Sequence, residues 1–214
     1  WGAVFYPKEF VQAIEKICIE KNILLVFDEM QSGFARTGKK FGYEHYGVKA
    51  DMIVCGKGMG SGFPLSGIIG SSGVMDIPAV GSMSSTHSAN PIVCTAGLVT
   101  LDEIKSNKLV EESERKGVLL HNNLNALKKK YSDRITYVLG RGLIAAVLFC
   151  KSGGTEPDAE FTSQVAELCM RKGLLVVHTG RESIKIGPPL TISDDALLEG
   201  IEVLDEAIAE IIGG

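Results

Sequence analysis

The sequence has no excess of positive charge, no long apolar run and no paired cysteine motif. Lys and Arg number 22 against 26 Asp and Glu, a net charge of −4, so nothing in the balance marks a nucleic-acid surface. No apolar stretch reaches the ~18 residues that a membrane span requires. The first residues lack the charged segment followed by an apolar core that marks a signal peptide. Cys18, Cys55, Cys94, Cys150 and Cys169 are scattered, odd in number and never spaced as Cys-x-x-Cys. They read as reduced, mostly buried thiols of a cytoplasmic protein. His45, His87, His121 and His178 show no ligand spacing, so no metal site is expected.

What is present suits a folded enzyme. Hydrophobic residues make up 45% and charged residues 22% of 214, the composition of a globular chain. The opening Trp1-Gly2-Ala3-Val4-Phe5-Tyr6-Pro7 reads like the middle of a chain, as though a longer protein preceded it. Pro7 to Lys21 has helical apolar spacing and leads into the run Ile23-Leu24-Leu25-Val26-Phe27; a second run is Met52-Ile53-Val54-Cys55, and a third spans Leu65 to Gly70. Short continuous apolar runs of this kind read as strands buried on both faces, as in a parallel sheet. From Pro91 the chain turns helical, with Leu109, Val110, Val118, Leu119, Leu124 and Leu127 as an apolar stripe. Two strands are expected around Leu139-Gly140-Arg141-Gly142 and two more at 174–178 and 183–187. Helices are expected at 160–172, closed by Gly173, and after a Ser193 cap. The expected organisation is an α/β domain over 1–102 and an α+β domain over 103–214.

Two charged residues stand at the ends of the first two apolar runs. Asp28 follows Phe27, and Lys57 sits in Gly56-Lys57-Gly58 just past Cys55. Open parallel sheets bind ligands at the carboxyl ends of their strands. A carboxylate for a pyridinium nitrogen and a lysine for a Schiff base are what pyridoxal phosphate (PLP) asks of a protein. The flanking glycines are read as giving the backbone freedom to turn the amine into a cleft. Taken singly, Lys57 reads equally as a surface or phosphate-binding lysine, and Asp28 as a helix cap or salt-bridge partner. The P-loop order fails, because Gly58 rather than Ser or Thr follows Lys57.

The conjunction is more specific. Val26-Phe27-Asp28-Glu29-Met30-Gln31-Ser32-Gly33-Phe34-Ala35-Arg36-Thr37-Gly38-Lys39 resembles the signature of the class III (ω- or acetylornithine-type) aminotransferases among the fold-type I PLP enzymes. Tyr43-Glu44-His45-Tyr46-Gly47-Val48, Gly56 to Leu65, Thr86-His87-Ser88-Ala89-Asn90-Pro91 and Gly187-Pro188-Pro189-Leu190 follow in that family's order. The resemblance implies the later part of a large, mostly parallel sheet domain followed by a small α+β domain. It implies that Lys57 forms the aldimine with PLP and shuttles the proton. Asp28 then pairs with the pyridine nitrogen, and Gln31 contacts the phenolic oxygen. Thr86 binds the cofactor phosphate, usually across the interface of a homodimer. Glu29 and Arg36 are read as supports. The substrates implied are a small-molecule amine or amino acid donor and a keto acid or aldehyde acceptor, with neither nucleic acid nor membrane as partner.

Two departures stand out. Where members acting on α-carboxylates often carry arginine, three residues before the double proline, this chain has Lys185, and Arg181 lies nearby but displaced. Lysine lacks arginine's bidentate fork, which points toward an ω-amine or amino sugar. Lys185 is otherwise a plain strand residue. The family's phosphate-cradling turn and ring-stacking aromatic lie upstream of position 1 and are not in this sequence. An aminomutase of the glutamate-1-semialdehyde type, a decarboxylase or racemase on the same scaffold, and an inactive partial homologue stay open as alternatives.

Overall fold

The computed structural model describes residues 2–213, so Trp1, on which the expected mid-chain start rests, lies outside the described residues. Contacts divide the chain into two units, one spanning 6–111 and the other 112–213 with residues 2–5. The expected boundary at 102/103 falls inside a helix, Pro91–Ser106, and the division lies at 111/112 instead.

The first unit opens with α1 (Lys8–Lys21), closed by Asn22 in the left-handed region. Then come β1 (Val26–Asp28), β2 (Met52–Cys55), β3 (Gly67–Gly70), the single turn α2 (Ser72–Met75) and α3 (Pro91–Ser106). The strands form one sheet in the order β1-β2-β3. The β1–β2 pair is parallel, with Asp28 opposite Val54, and the β2–β3 pair is antiparallel. The apolar runs are longer than the strands: Ile23, Leu24 and Leu25 lead into β1 without joining it. The central strand buries one face, that of Ile53 and Cys55, and half-buries the other, that of Met52 and Val54, whereas Val26, Ile68 and Ile69 on the outer strands are 43–50% exposed. Pairing on both edges protects β2; the outer strands need a covering layer, and the described residues place none over those positions. Asn90 caps α3 through its side chain, which accepts the Ile92 N–H.

The second unit contains α4 (Leu109–Lys130), whose start lies at the end of the first, then β4 (Ile135–Arg141) and β5 (Ile144–Phe149). These are followed by α5 (Ala159–Arg171), β6 (Val177–His178), β7 (Ser183–Ile186) and α6 (Asp194–Gly213). Its antiparallel sheet runs β4-β5-β7-β6. β5 is buried along its whole length. Ala145, Val147 and Phe149 join α4, α5 and α6 in the main core, while Ile144, Ala146 and Leu148 form a second cluster with Ala3 on the other face. α4 buries Leu120, Leu124 and Leu127; Val118, expected in the stripe, is 56% exposed. Ser193 caps α6 as expected, its Oγ accepting the Ala196 N–H at 3.2 Å. Gly173 follows the capping residue Lys172 of α5 with φ +92°.

Candidate active site

β1 and β2 run in the same direction side by side, so their carboxyl ends form one edge. Asp28 is the last residue of β1, exposed there, and its Oδ1 accepts the Met30 N–H at 3.0 Å. The Glu29 N–H donates to the Val54 carbonyl at 2.9 Å, which fixes this end of β1 to β2. Lys57 begins a 3₁₀ turn (Lys57–Gly60) two residues past β2, with its side chain exposed. The sheet thus delivers a carboxylate and a primary amine to adjacent strand ends.

The glycines around Lys57 do not act as the sequence suggests. Lys57 itself carries the left-handed φ of +45°, while Gly56 is fully extended at −178°. A left-handed backbone at a residue with a Cβ costs about 1–2 kcal/mol. Gly56 is required for space instead: a Cβ there would lie 2.3 Å from Met30 Sδ. α3 supports the turn from its other end. Gly97 lets Leu65 approach so closely that a Cβ would meet Leu65 Cδ2 at 2.6 Å, and Thr100 Oγ1 donates to Ser61 Oγ at 2.9 Å.

Gln31 lies exposed in the turn that follows β1, beside Asp28 in sequence. The segment that contains it, 29–41, is closed by Glu29. This carboxylate is 2% exposed and accepts the backbone N–H groups of Gly42 (2.8 Å) and Tyr43 (2.7 Å) and the hydroxyl of Ser32. Those N–H groups start the 3₁₀ helix Gly42–Tyr46, so one side chain both caps that helix and ties the loop into a ring. The rings of Phe27 and Tyr43 lie 5.3 Å apart and those of Phe34 and Phe41 5.7 Å apart, filling the loop's interior. Arg36 is half-buried, and that burial lowers its guanidinium pKa; it is drawn into the loop rather than solvated.

Thr86 is exposed on the segment between α2 and α3, and the strand register does not bring it to the Asp28–Lys57 edge. Hydrogen bonds along this segment are local, such as Ser88 N–H to the Ser85 carbonyl at 3.1 Å. Ile77, Val80 and Met83 around it are at least 74% exposed. Lys185 and Arg181 belong to the second unit. Lys185 is half-buried on β7, opposite Ala146 of β5 and Val177 of β6. Arg181 is exposed in the β6–β7 turn, with its Nε 3.2 Å from the Glu182 carboxylate. No group of three or more His, Cys, Asp and Glu side chains among the described residues could hold a metal.

Comparison with known proteins decides the family. The profile of the family described as aminotransferase class-III matches residues 1–208. The chain belongs to the class-III aminotransferase family. Within it, 98% of this chain is 35% identical to a 4-aminobutyrate aminotransferase of Mycobacterium leprae, covering 47% of that protein. An alanine/serine racemase of Pyrococcus horikoshii is also 35% identical, over 100% of this chain and 45% of the racemase. A crystal structure of acetylornithine aminotransferase from Elizabethkingia anophelis superposes with a TM-score of 0.87 at 30% identity, over 95% of this chain and 50% of that one. The chain therefore spans about half the length of the class-III relatives it matches. Missing from the sequence reading was Met30, whose contact with Gly56 joins residues 26 apart; nothing in the spacing of either motif signals it.

Proposed function

We propose that the protein takes part in PLP-dependent transamination, moving an amino group between an amine donor and a keto acid or aldehyde acceptor. The observation that carries this reading is the juxtaposition of Asp28 and Lys57 at neighbouring parallel strand ends, within a chain of class-III family membership. The donor set fits PLP at two of its three ends. Asp28 offers a carboxylate to the ring nitrogen, with Gln31 next to it for the phenolic oxygen, and Lys57 offers an amine to the aldehyde. For the phosphate this chain contributes the Thr86 hydroxyl. Bound there, PLP supplies an electron sink for the charge left when a substrate amine loses its α-proton.

The chain's own residues carry the proton work. The Lys57 amine, held by the turn between Gly56 and Gly58, would take the proton from the substrate's α-carbon and deliver it to the former aldehyde carbon of PLP, on the other side of the substrate nitrogen. The Asp28 carboxylate would pair with the protonated ring nitrogen. Lys185 and Arg181 are the proposed contacts for the substrate's anionic end. Lysine as a point charge suits a carboxylate set away from the reacting amine, and the similarity to a 4-aminobutyrate aminotransferase supports an ω-amino substrate. We place the protein in the cytoplasm as a homodimer; the free state of all five cysteines and the exposed Ile77, Val80 and Met83 beside Thr86 support this. No helix among the described residues is long and apolar enough to cross a membrane. The equal similarity to an alanine/serine racemase favours one second reading, proton return to the same carbon from either face.

The test is to add PLP, reduce with borohydride and map pyridoxyl groups by peptide mass spectrometry. A group concentrated on Lys57 and lost in Lys57→Arg is expected. Labelling spread over the exposed lysines without preference for Lys57 would overturn the proposal.

A further inference from the structure

The turn carrying Lys57 adopts a backbone that its own residues disfavour. A left-handed φ at a residue with a side chain persists only where the surroundings fix it. Before the turn, Cys55 is paired to Gly67 of β3, and after it the Met59 N–H closes on the Gly56 carbonyl at 3.0 Å. That carbonyl is the oxygen of the Gly56–Lys57 peptide itself, so the bond holds the peptide from within the turn, and neither contact packs against the Gly56 Cα. Met30 does. Its Sδ and Cε occupy the space where a Cβ of residue 56 would stand, 2.3 and 3.2 Å away. Phe34, on the same loop, stands farther off: a Cβ at Gly58 would lie 3.7 Å from its Cβ, an ordinary contact. Met30 is fixed in turn, because its N–H is bonded to Asp28 Oδ1 and the preceding Glu29 closes the loop. One residue therefore bonds to the candidate carboxylate through its backbone and seats on the residue before the candidate amine through its side chain.

We propose that Met30 is a positioning residue for Lys57: its thioether, seated on Gly56, fixes the left-handed turn that carries Lys57 at the end of β2, next to the strand end of Asp28. This rests on the reading of Asp28 and Lys57 as a cofactor-binding pair, but its test needs no cofactor. A flexible thioether fills an irregular gap well, and leucine conserves most of its volume.

The experiment is trace acetylation of the 214-residue chain without PLP across a range of pH. Peptide mass spectrometry gives the Lys57 rate relative to the exposed Lys105 on α3. Met30→Ala and Gly56→Ala are each expected to change that ratio by about threefold or more and to displace its pH profile, while Met30→Leu stays within about twofold. The double variant Gly56→Ala/Met30→Ala is expected to return toward the parent, since the new methyl takes the space the sulfur leaves. A Lys57 ratio and profile unchanged in Met30→Ala would overturn the proposal, whether or not the thermal midpoint falls. If Met30→Ala does not fold, the decision rests on Gly56→Ala and the double variant. Failure of Met30→Ala to relieve Gly56→Ala then overturns the proposal. Loss of PLP trapping on Lys57 with these couplings intact would sink the functional reading and leave this one standing.

Discussion

At the scale of single residues, Glu29 shows how a polar side chain can be structural inside a motif that reads as chemical. Its carboxylate is buried and satisfied by two backbone N–H groups and a hydroxyl. Glu29→Ala removes the acceptor from both N–H groups. Each such loss costs about 1–3 kcal/mol, so a drop of about 2–6 kcal/mol is expected in urea denaturation. Glu29→Gln keeps one acceptor oxygen and should cost about half as much. Equal losses for the two substitutions would show that the carboxylate's bonds to Gly42 and Tyr43 do not hold the loop.

At the scale of elements, α4 and the turn between β4 and β5 meet backbone to backbone at Gly117 and Gly142. A Cβ at Gly117 would lie 2.5 Å from the Gly142 Cα and 2.8 Å from its carbonyl. Alanine improves an exposed helix by about 1 kcal/mol over glycine, but overpacking against backbone costs about 1–3 kcal/mol. The contact wins here because backbone cannot rotate away, so Gly117→Ala should lower the thermal midpoint rather than raise it. His121 lies on the same helix, and burial holds its pKa below the ordinary value despite the nearby carbonyls of Gly142 and Ile144. In the unfolded chain this imidazole binds a proton near pH 6.5, while the folded chain resists it to lower pH. Its contribution is therefore absent above that range, and stability falls as pH drops through it. Urea titrations between pH 8 and pH 5 (~3 units spanning the imidazole range) should show a slope that His121→Gln reduces; an unchanged slope would assign the loss elsewhere.

At the scale of the whole molecule, two cores of different character share one chain. The second unit encloses its central strand on both faces and ties helices by charge, with Arg115 forked onto Asp194 through two bonds of 2.8 Å. The Arg115 hydrogen bonds hold the Asp194 carboxyl below its ordinary pKa. That contribution is present above the unfolded value and is lost as pH falls through the folded one. Because the pair is exposed, the loss is small and weakens further in salt. The first unit leaves Val26, Ile68, Ile69, Val80 and Met83 in solvent. For the proposed homodimer, Val80→Asp and Met83→Asp should shift light-scattering mass from dimer to monomer, and a mass unaffected by both would remove the segment around Thr86 from the interface.

The element types and their order were legible in the sequence because they follow from local rules: apolar period, caps and breakers. Ser193 before α6, Gly173 after α5 and the two strands around Gly140 and Gly142 all lie where those rules put them. The placement of Asp28 and Lys57 at adjacent strand ends was legible too, since a charged residue at the end of an apolar run marks a strand end whatever its neighbours. Burial was not. Val26 and Val118 satisfy the same periodic patterns as Ile53 and Leu124, and only the presence of a packing layer separates them. The role of Gly56 was equally hidden: glycine in a sequence signals freedom of φ, yet here it signals the thickness of Met30. Local sequence determined which segments are strands and helices, because those choices depend on residues a few positions apart. Tertiary structure decided which faces are covered and what fixes the lysine turn, because these depend on contacts between residues far apart in the chain.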